Sequence, residues 1–273
     1  MTHDSVYRSA AERAVSFCVK SQDSTGGGWR YNPNNDSDTS VTGWFVMALQ
    51  SAMMAGLEVP SKTMINITRY LDSAQDETGS RYFYQPHGYF NYAMTAEGLL
   101  CRQYLGWKRN DPRLTTGVQL LSTQPVNDTD INVYQWYYAT QVMHHMGGDY
   151  WKKWNEVMRQ AVPETQVKKG SEDGSWNPSG DKYAGQGGRL YVTCLRTFML
   201  EVYYRHLPIY DSIYESQRSP STADQPDAPD KPADATSTDS KAADMKPADG
   251  QQAKENSSDN KSDTGKPDMK AEK

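Results

Sequence analysis

The chain has 273 residues, with 34 acidic and 29 basic side chains and a net charge of -5. That balance argues against a nucleic-acid partner or an anionic membrane surface. No apolar run approaches the roughly 20 residues that cross a bilayer, and the N-terminus lacks the basic-then-apolar order of a signal peptide. As written, a cytoplasmic protein with no transmembrane segment is expected. Its three cysteines, Cys18, Cys101 and Cys194, lie far apart without CxxC spacing, as reduced, buried thiols do.

Composition changes near residue 218. Every tryptophan, tyrosine and phenylalanine precedes it, whereas Ser219 to Lys273 is built from Asp, Lys, Ala, Pro and Ser, with 12 acids against 8 lysines. Such a stretch cannot bury enough apolar surface to offset its ordering entropy. The expected organisation is a folded domain over 1–218 and a disordered acidic tail over 219–273.

Within the domain, apolar residues follow helical rather than alternating spacing. The first segment, 6–22, carries Tyr7, Ala10, Ala14 and Phe17 along one face. The second, 39–55, is apolar almost all round, including Trp44, Phe45, Val46 and Leu49, as expected of a helix enclosed by others. The next, 60–76, is one-faced again through Met64, Ile67, Leu71 and Ala74. Amphipathic segments at 112–123 and 150–166 then alternate with richer ones at 93–105, 131–147 and 187–206. The pattern predicts about four hairpins of outer and inner helices.

The linkers after the outer helices share a phrase. Gln22 to Trp29 reads Q-D-S-T-G-G-G-W, with Gln22, Gly27 and Trp29 at its key places. Gln75 to Tyr82 reads Q-D-E-T-G-S-R-Y, keeping Gln75, Gly79 and an aromatic at Tyr82. The last copy keeps Gln166, Gly174 and Trp176, and the third, at Gln124, lacks the glycine and aromatic. A glutamine closing a helix can bond exposed backbone groups, glycine permits the tight reversal, and the aromatic covers the hairpin end.

Arg13, Ala14, Phe17, Gln22, Gly27 and Trp29 resemble the QW motif of squalene-hopene and oxidosqualene cyclases, and Arg69, Tyr70, Leu71, Gln75 and Gly79 repeat most of it. The resemblance covers roughly residues 5 to 210 and extends to the related protein prenyltransferase β-subunits. It implies an all-α α/α toroid of concentric helices, here a partial barrel, since about six hairpins usually close such a ring. The first outer helix starts within a few residues of Met1, so two expectations stand: an open horseshoe with a real deficit of hairpins, or a domain incomplete at its N-terminus with an inner helix missing before that helix.

The resemblance also locates where the family's chemistry would sit. Triterpene cyclases carry D-x-D-D-T-A at the head of an inner helix; the matching phrase here is Asn35-Asp36-Ser37-Asp38-Thr39-Ser40, with serine at the proton donor's place. A hydroxyl cannot protonate an alkene, and Asp38 then reads either as a cavity residue or as the cap of the helix starting at Thr39. The Y-H-T-C phrase that holds zinc in prenyltransferases reads Tyr191-Val192-Thr193-Cys194, and valine binds no metal. The G-C-G-E-Q phrase of complement thioester domains is absent from the sequence. His144 and His145 are adjacent and diverge on a helix, which is poor geometry for one metal.

Trp44, Tyr92, Tyr134, Trp136, Tyr137 and Tyr191 on inner segments resemble the aromatic lining of cyclase cavities, although aromatic core packing gives the same pattern. Arg189, after the glycine-rich entry Gly185 to Gly188, could meet an anion at a helix N-terminus or pair with an acidic neighbour. The expected function is a binding or scaffolding module for an apolar small molecule or a protein partner, with no catalytic residue, metal or cofactor. The alternative is an enzyme acting on a terpenoid or other apolar substrate in the central cavity. Convergent carboxylates or histidines at a cavity would favour the enzyme, and a filled or purely apolar centre the binding module. Deletion of 219–273 should leave the thermal midpoint and helical signal of the domain unchanged, as circular dichroism can measure; a marked loss would mean that the tail packs.

Overall fold

In the computed structural model, residues 5–205 are described. The chain divides into two units, Met1–Ala223 and Asp224–Lys273, and the described residues all belong to the first. The tail expected to be disordered over 219–273 lies outside them. Among the described residues every regular element is helical, apart from isolated bridges in the linkers.

After a single 3-10 turn at Ser5–Tyr7, the helices are α1 (Arg8–Ser21), α2 (Thr39–Met54), α3 (Ser61–Ser73), α4 (Tyr92–Tyr104), α5 (Pro112–Ser122), α6 (Val133–Met146), α7 (Gly148–Glu164), α8 (Ala184–Leu200) and the short α9 (Val202–Arg205). Each expected segment is present with ends displaced by a few residues. The displacement is largest at the last one. There the helix stops at Leu200 instead of running to 206, and its first turn is broken at Gly188, whose φ of 63° is left-handed.

Side-chain caps set where several of these helices begin. Asp38 accepts from the Val41 amide at 2.7 Å, Asn91 from that of Ala93 at 2.8 Å, and Asn132 from that of Gln135 at 3.1 Å, each satisfying an amide that has no partner within its helix. Helix α5 uses Asp111 with proline at the next position.

Helices α2, α4, α6 and α8 pack in chain order as an inner row, while α1 and α3 lie against α2, α5 against α4 and α6, and α7 against α6 and α8. The alternation of one-faced and apolar segments thus becomes two layers. Helix α4, in the middle of the row, is buried over almost its whole length, from Ala93 to Tyr104. Helix α2 is only partly enclosed: Val46 and Leu49 are buried, but Trp44 is 40% exposed, because α2 ends the row.

The first helix corrects an expectation. The stripe Tyr7, Ala10, Ala14 and Phe17 faces solvent, with Phe17 58% exposed. The side that packs is Val15 and Cys18. A flanking helix would be needed to cover the other face, and among the described long helices α1 packs mainly on α2.

The linkers act as cross-ties. Gln22 donates from Nε2 to the carbonyls of Gly27 (2.8 Å) and Thr63 (3.1 Å), and its Oε1 accepts from Asn66, so it joins its own loop to α3. Gly27 has φ 91°, and a Cβ there would lie 2.4 Å from the Asn66 carbonyl oxygen. Only glycine allows that approach. Trp29 is buried, stacks on Phe45 at 4.7 Å, and donates from its indole to the Cys18 carbonyl and from its amide to Thr42 Oγ1.

Two other linkers repeat this arrangement. The Tyr82 amide donates to Thr95 Oγ1 at 3.0 Å and the Trp176 amide to Thr193 Oγ1 at 3.2 Å; the Trp176 indole reaches the Val162 carbonyl at 2.7 Å. Gln75 accepts from the Tyr82 hydroxyl and from Arg102, and Gln166 donates to the Gly174 carbonyl at 2.8 Å. Gly79 and Gly174 both take positive φ. In the third linker, which lacks the aromatic, Gln135 reaches back from α6 to the Gln124 carbonyl at 3.3 Å.

Trp29→Ala should lower the unfolding free energy by about 3 kcal/mol, since it removes a buried aromatic that joins two helices and a loop. Urea denaturation checks this, and an unchanged midpoint would show that the linker tryptophan is not a cross-tie.

Candidate ligand-binding site

A cleft of about 730 Å³ opens between the two ends of the inner row. One wall comes from α2, where Ser40, Val41 and Trp44 fall on one face by helical spacing. Opposite are Tyr183 and Gln186, with Gly187 and Tyr191 one turn apart on α8. Tyr134 of α6 lies between the walls, and Tyr31, Tyr84, Asn91 and Met94 complete the lining.

The cleft rests on a hydroxyl network. Tyr134 and Ser40 are joined hydroxyl to hydroxyl at 2.6 Å, and the Tyr134 hydroxyl lies 3.3 Å from that of Tyr138 and 3.4 Å from Glu97 Oε2. Glu97, on α4, is wholly buried and its Oε1 has no hydrogen-bond partner. It fits because α2 carries glycine opposite: a Cβ on Gly43 would lie 2.0 Å from Glu97 Oε1. Burial pushes the Glu97 carboxyl well above the usual carboxylate range, and the nearby Asp38 charge adds to the effect, against a hydrogen bond from Tyr138. Burial and the Glu97 charge likewise raise the Tyr134 and Tyr138 phenols.

Asp38 is also fully buried. Besides capping α2 it accepts from the Tyr84 hydroxyl at 2.9 Å, and Arg30 Nε lies 3.4 Å away. Burial raises its pKa, while the Val41 amide, the Tyr84 hydroxyl and Arg30 oppose the shift. Its role is to fix the head of α2 and the Tyr84 ring beside the cleft.

The expected cavity residues divide accordingly. Trp44, Tyr134 and Tyr191 line the cleft. Tyr137 is buried beneath it, stacked on Trp44 at 5.9 Å. Trp136 is directed away: two residues from Tyr134 it is rotated by about 200°, is buried, and packs under the Arg196 guanidinium. Tyr92 is outside the lining, edge-on to Phe90. Arg189 does not meet the cleft either; it pairs with Glu172 at 2.8 Å and donates to Ser175. Its anion is an acidic neighbour.

The other motif positions have structural partners. The Ser37 hydroxyl donates to Asp23 Oδ2 and accepts from the Gly28 amide at 3.1 Å, inside the first linker. Val192 is buried in the core. His144 packs edge-on to Trp151, and His145 to Tyr104. Among the described residues no three His, Cys, Asp or Glu side chains gather as a metal site, and no helix is long and apolar enough to cross a membrane.

Sequence reasoning missed Glu97, Tyr31, Tyr84 and Tyr183. A signal for Glu97 existed: it stands six residues after the cap Asn91, as Trp44 does after Asp38 and Tyr138 after Asn132. A carboxyl at a core position of an inner helix is costly unless neutral or bonded. No family model, curated protein or solved structure matches the chain.

The Glu97 shift carries a pH dependence with a definite sign. The folded protein keeps the Glu97 proton over a range where the unfolded chain has released it, so this group lowers stability as pH rises from about 4.3 toward the folded value. Glu97→Gln removes the loss. Melting curves from about pH 4 to pH 8 should show the variant gaining on the parent as pH rises; a gap independent of pH would mean that Glu97 is an ordinary carboxylate.

Proposed function

We propose that the chain is a divergent member of the squalene cyclase and prenyltransferase repeat superfamily that serves as a binding module, its ligand seated in the aromatic cleft. The linker cross-ties and the inner and outer helix order support the family. The cleft itself carries the binding role: aromatic faces from the two ends of the inner row converge on one concave surface, as ligand sites between helices do. The positions that the family uses for acid and zinc are occupied by Ser37, bonded within its linker, and Val192, buried in the core. Neither group can supply that chemistry.

An enzyme acting on a terpenoid or other apolar substrate is the alternative, favoured by Glu97. This buried acid lies one hydroxyl away from the cleft, since Tyr134 touches both. A carboxyl held neutral in an apolar site can act as a proton donor.

Incubation with squalene followed by product analysis, with metal analysis of chelator-free protein, separates the two. The binding reading expects no cyclised product and no stoichiometric zinc. A product formed by the parent and lost in Glu97→Gln would establish the enzyme instead. Native mass spectrometry of the parent incubated with farnesol or with a neutral hexasaccharide should show a complex with at least one of them that Trp44→Ala loses.

A further inference from the structure

We propose that the cleft is a site for a neutral oligosaccharide. The proposal rests on the binding role above and names its ligand class.

The chemistry of the lining selects the ligand. Every polar side chain in it is a hydroxyl or an amide, as at Ser40, Asn91, Tyr134 and Gln186, and among the described residues no charged side chain lines it. Hydroxyls and amides both donate and accept. An anion would call for cationic donors, as phosphate calls for arginine, and a cation for carboxylate acceptors. The matching ligand carries groups that also donate and accept while remaining uncharged, which describes sugar hydroxyls.

The aromatic groups add a second requirement. Tyr31 is 77% exposed, Trp44 40% and Tyr183 36%, so each ring keeps free surface although Trp44 stacks on Tyr137 and Tyr183 meets Tyr134 edge-on. A pyranose ring presents a flat C–H face to such a surface while its hydroxyls point outward to polar neighbours. A long hydrocarbon is the poorer fit, because its burial requires enclosure from water, and a cleft flanked by these exposed rings stays open. That openness suits an extended chain of sugars, whose remaining hydroxyls can stay solvated.

Tyr191 supplies an independent observation. It lines the cleft, yet its hydroxyl is shut off from solvent and has no hydrogen-bond partner. A buried hydroxyl without a partner costs stability, and a turn of the ring that brought it to a ligand hydroxyl would satisfy it. On the other side Ser40 and Tyr134, already joined at 2.6 Å, offer a paired hydroxyl surface.

Calorimetric titration with maltohexaose, cellohexaose and xylohexaose, alongside farnesol, tests the proposal. At least one hexasaccharide should bind and perturb tryptophan fluorescence. Trp44→Ala should weaken that binding by about tenfold or more, and Trp44→Phe, which keeps a ring, by less. Tyr191→Phe should weaken it by about five- to tenfold, the worth of one hydrogen bond, with a Tm equal to or above that of the parent. That opposition keeps the test open if Trp44→Ala fails to fold. Should farnesol bind in a Trp44-dependent way while all three hexasaccharides fail, the saccharide proposal falls and the binding role stands. Failure of both ligand types overturns both. An unaltered hexasaccharide affinity in Tyr191→Phe, or a lowered Tm, would refute the ligand-facing role of that hydroxyl.

Discussion

The structure depends on one recurring interaction, the amide of a linker aromatic bonded to a threonine hydroxyl on the following inner helix. It occurs at Trp29 with Thr42, Tyr82 with Thr95, and Trp176 with Thr193. An irregular linker running over helix ends leaves amides that must find partners. Threonine supplies them from the helix, so the loop is fixed to the element it precedes. The glutamines then tie that loop to its neighbours: Gln22 reaches α3, and Gln75 meets Arg102 of α4. Two layers of helices in this arrangement are joined by packing along their faces and by these ties at their ends.

The inner row is held in a particular rotation, and the cleft follows from it. With Asp38, Asn91 and Asn132 capping α2, α4 and α6, the residues six places on, Trp44, Glu97 and Tyr138, occupy corresponding positions. Gly43 leaves the space that the Glu97 carboxyl fills. A buried acid without a cation partner costs free energy that an apolar residue would not. Here burial pushes its pKa upward, and it contacts the same tyrosine that faces the cleft. That link between a buried carboxyl and an accessible surface gives the enzymatic alternative its physical content, while the hydroxyl and amide lining supports the binding reading.

The chain fixed much of its local structure by itself. Helical spacing separated amphipathic from fully apolar segments, and those became the outer and inner helices, since a helix with one apolar face can bury only that face. Asp38 before Thr39 was legible as a cap, and the glutamine, glycine and aromatic of each linker were legible as a tie, because these roles belong to neighbouring residues. The exposed stripe on α1 was not, because burial of an apolar face requires a second surface that the spacing of Tyr7, Ala10, Ala14 and Phe17 cannot supply.

The division of the aromatics was decided by tertiary structure. Tyr134, Trp136 and Tyr137 are equivalent in sequence as inner-helix aromatics, yet one lines the cleft, one packs under Arg196 and one is buried against Trp44. A rotation of α6 by one residue, about 100°, would turn each toward a different neighbour, and that rotation is set by contacts that include α4, α7 and α8. Arg189 found Glu172 across a folded linker, and Glu97 was paired with Tyr134 from another helix. The sequence determined which residues could be interior; the tertiary packing determined which of them share a surface, because that depends on how separate helices turn toward one another.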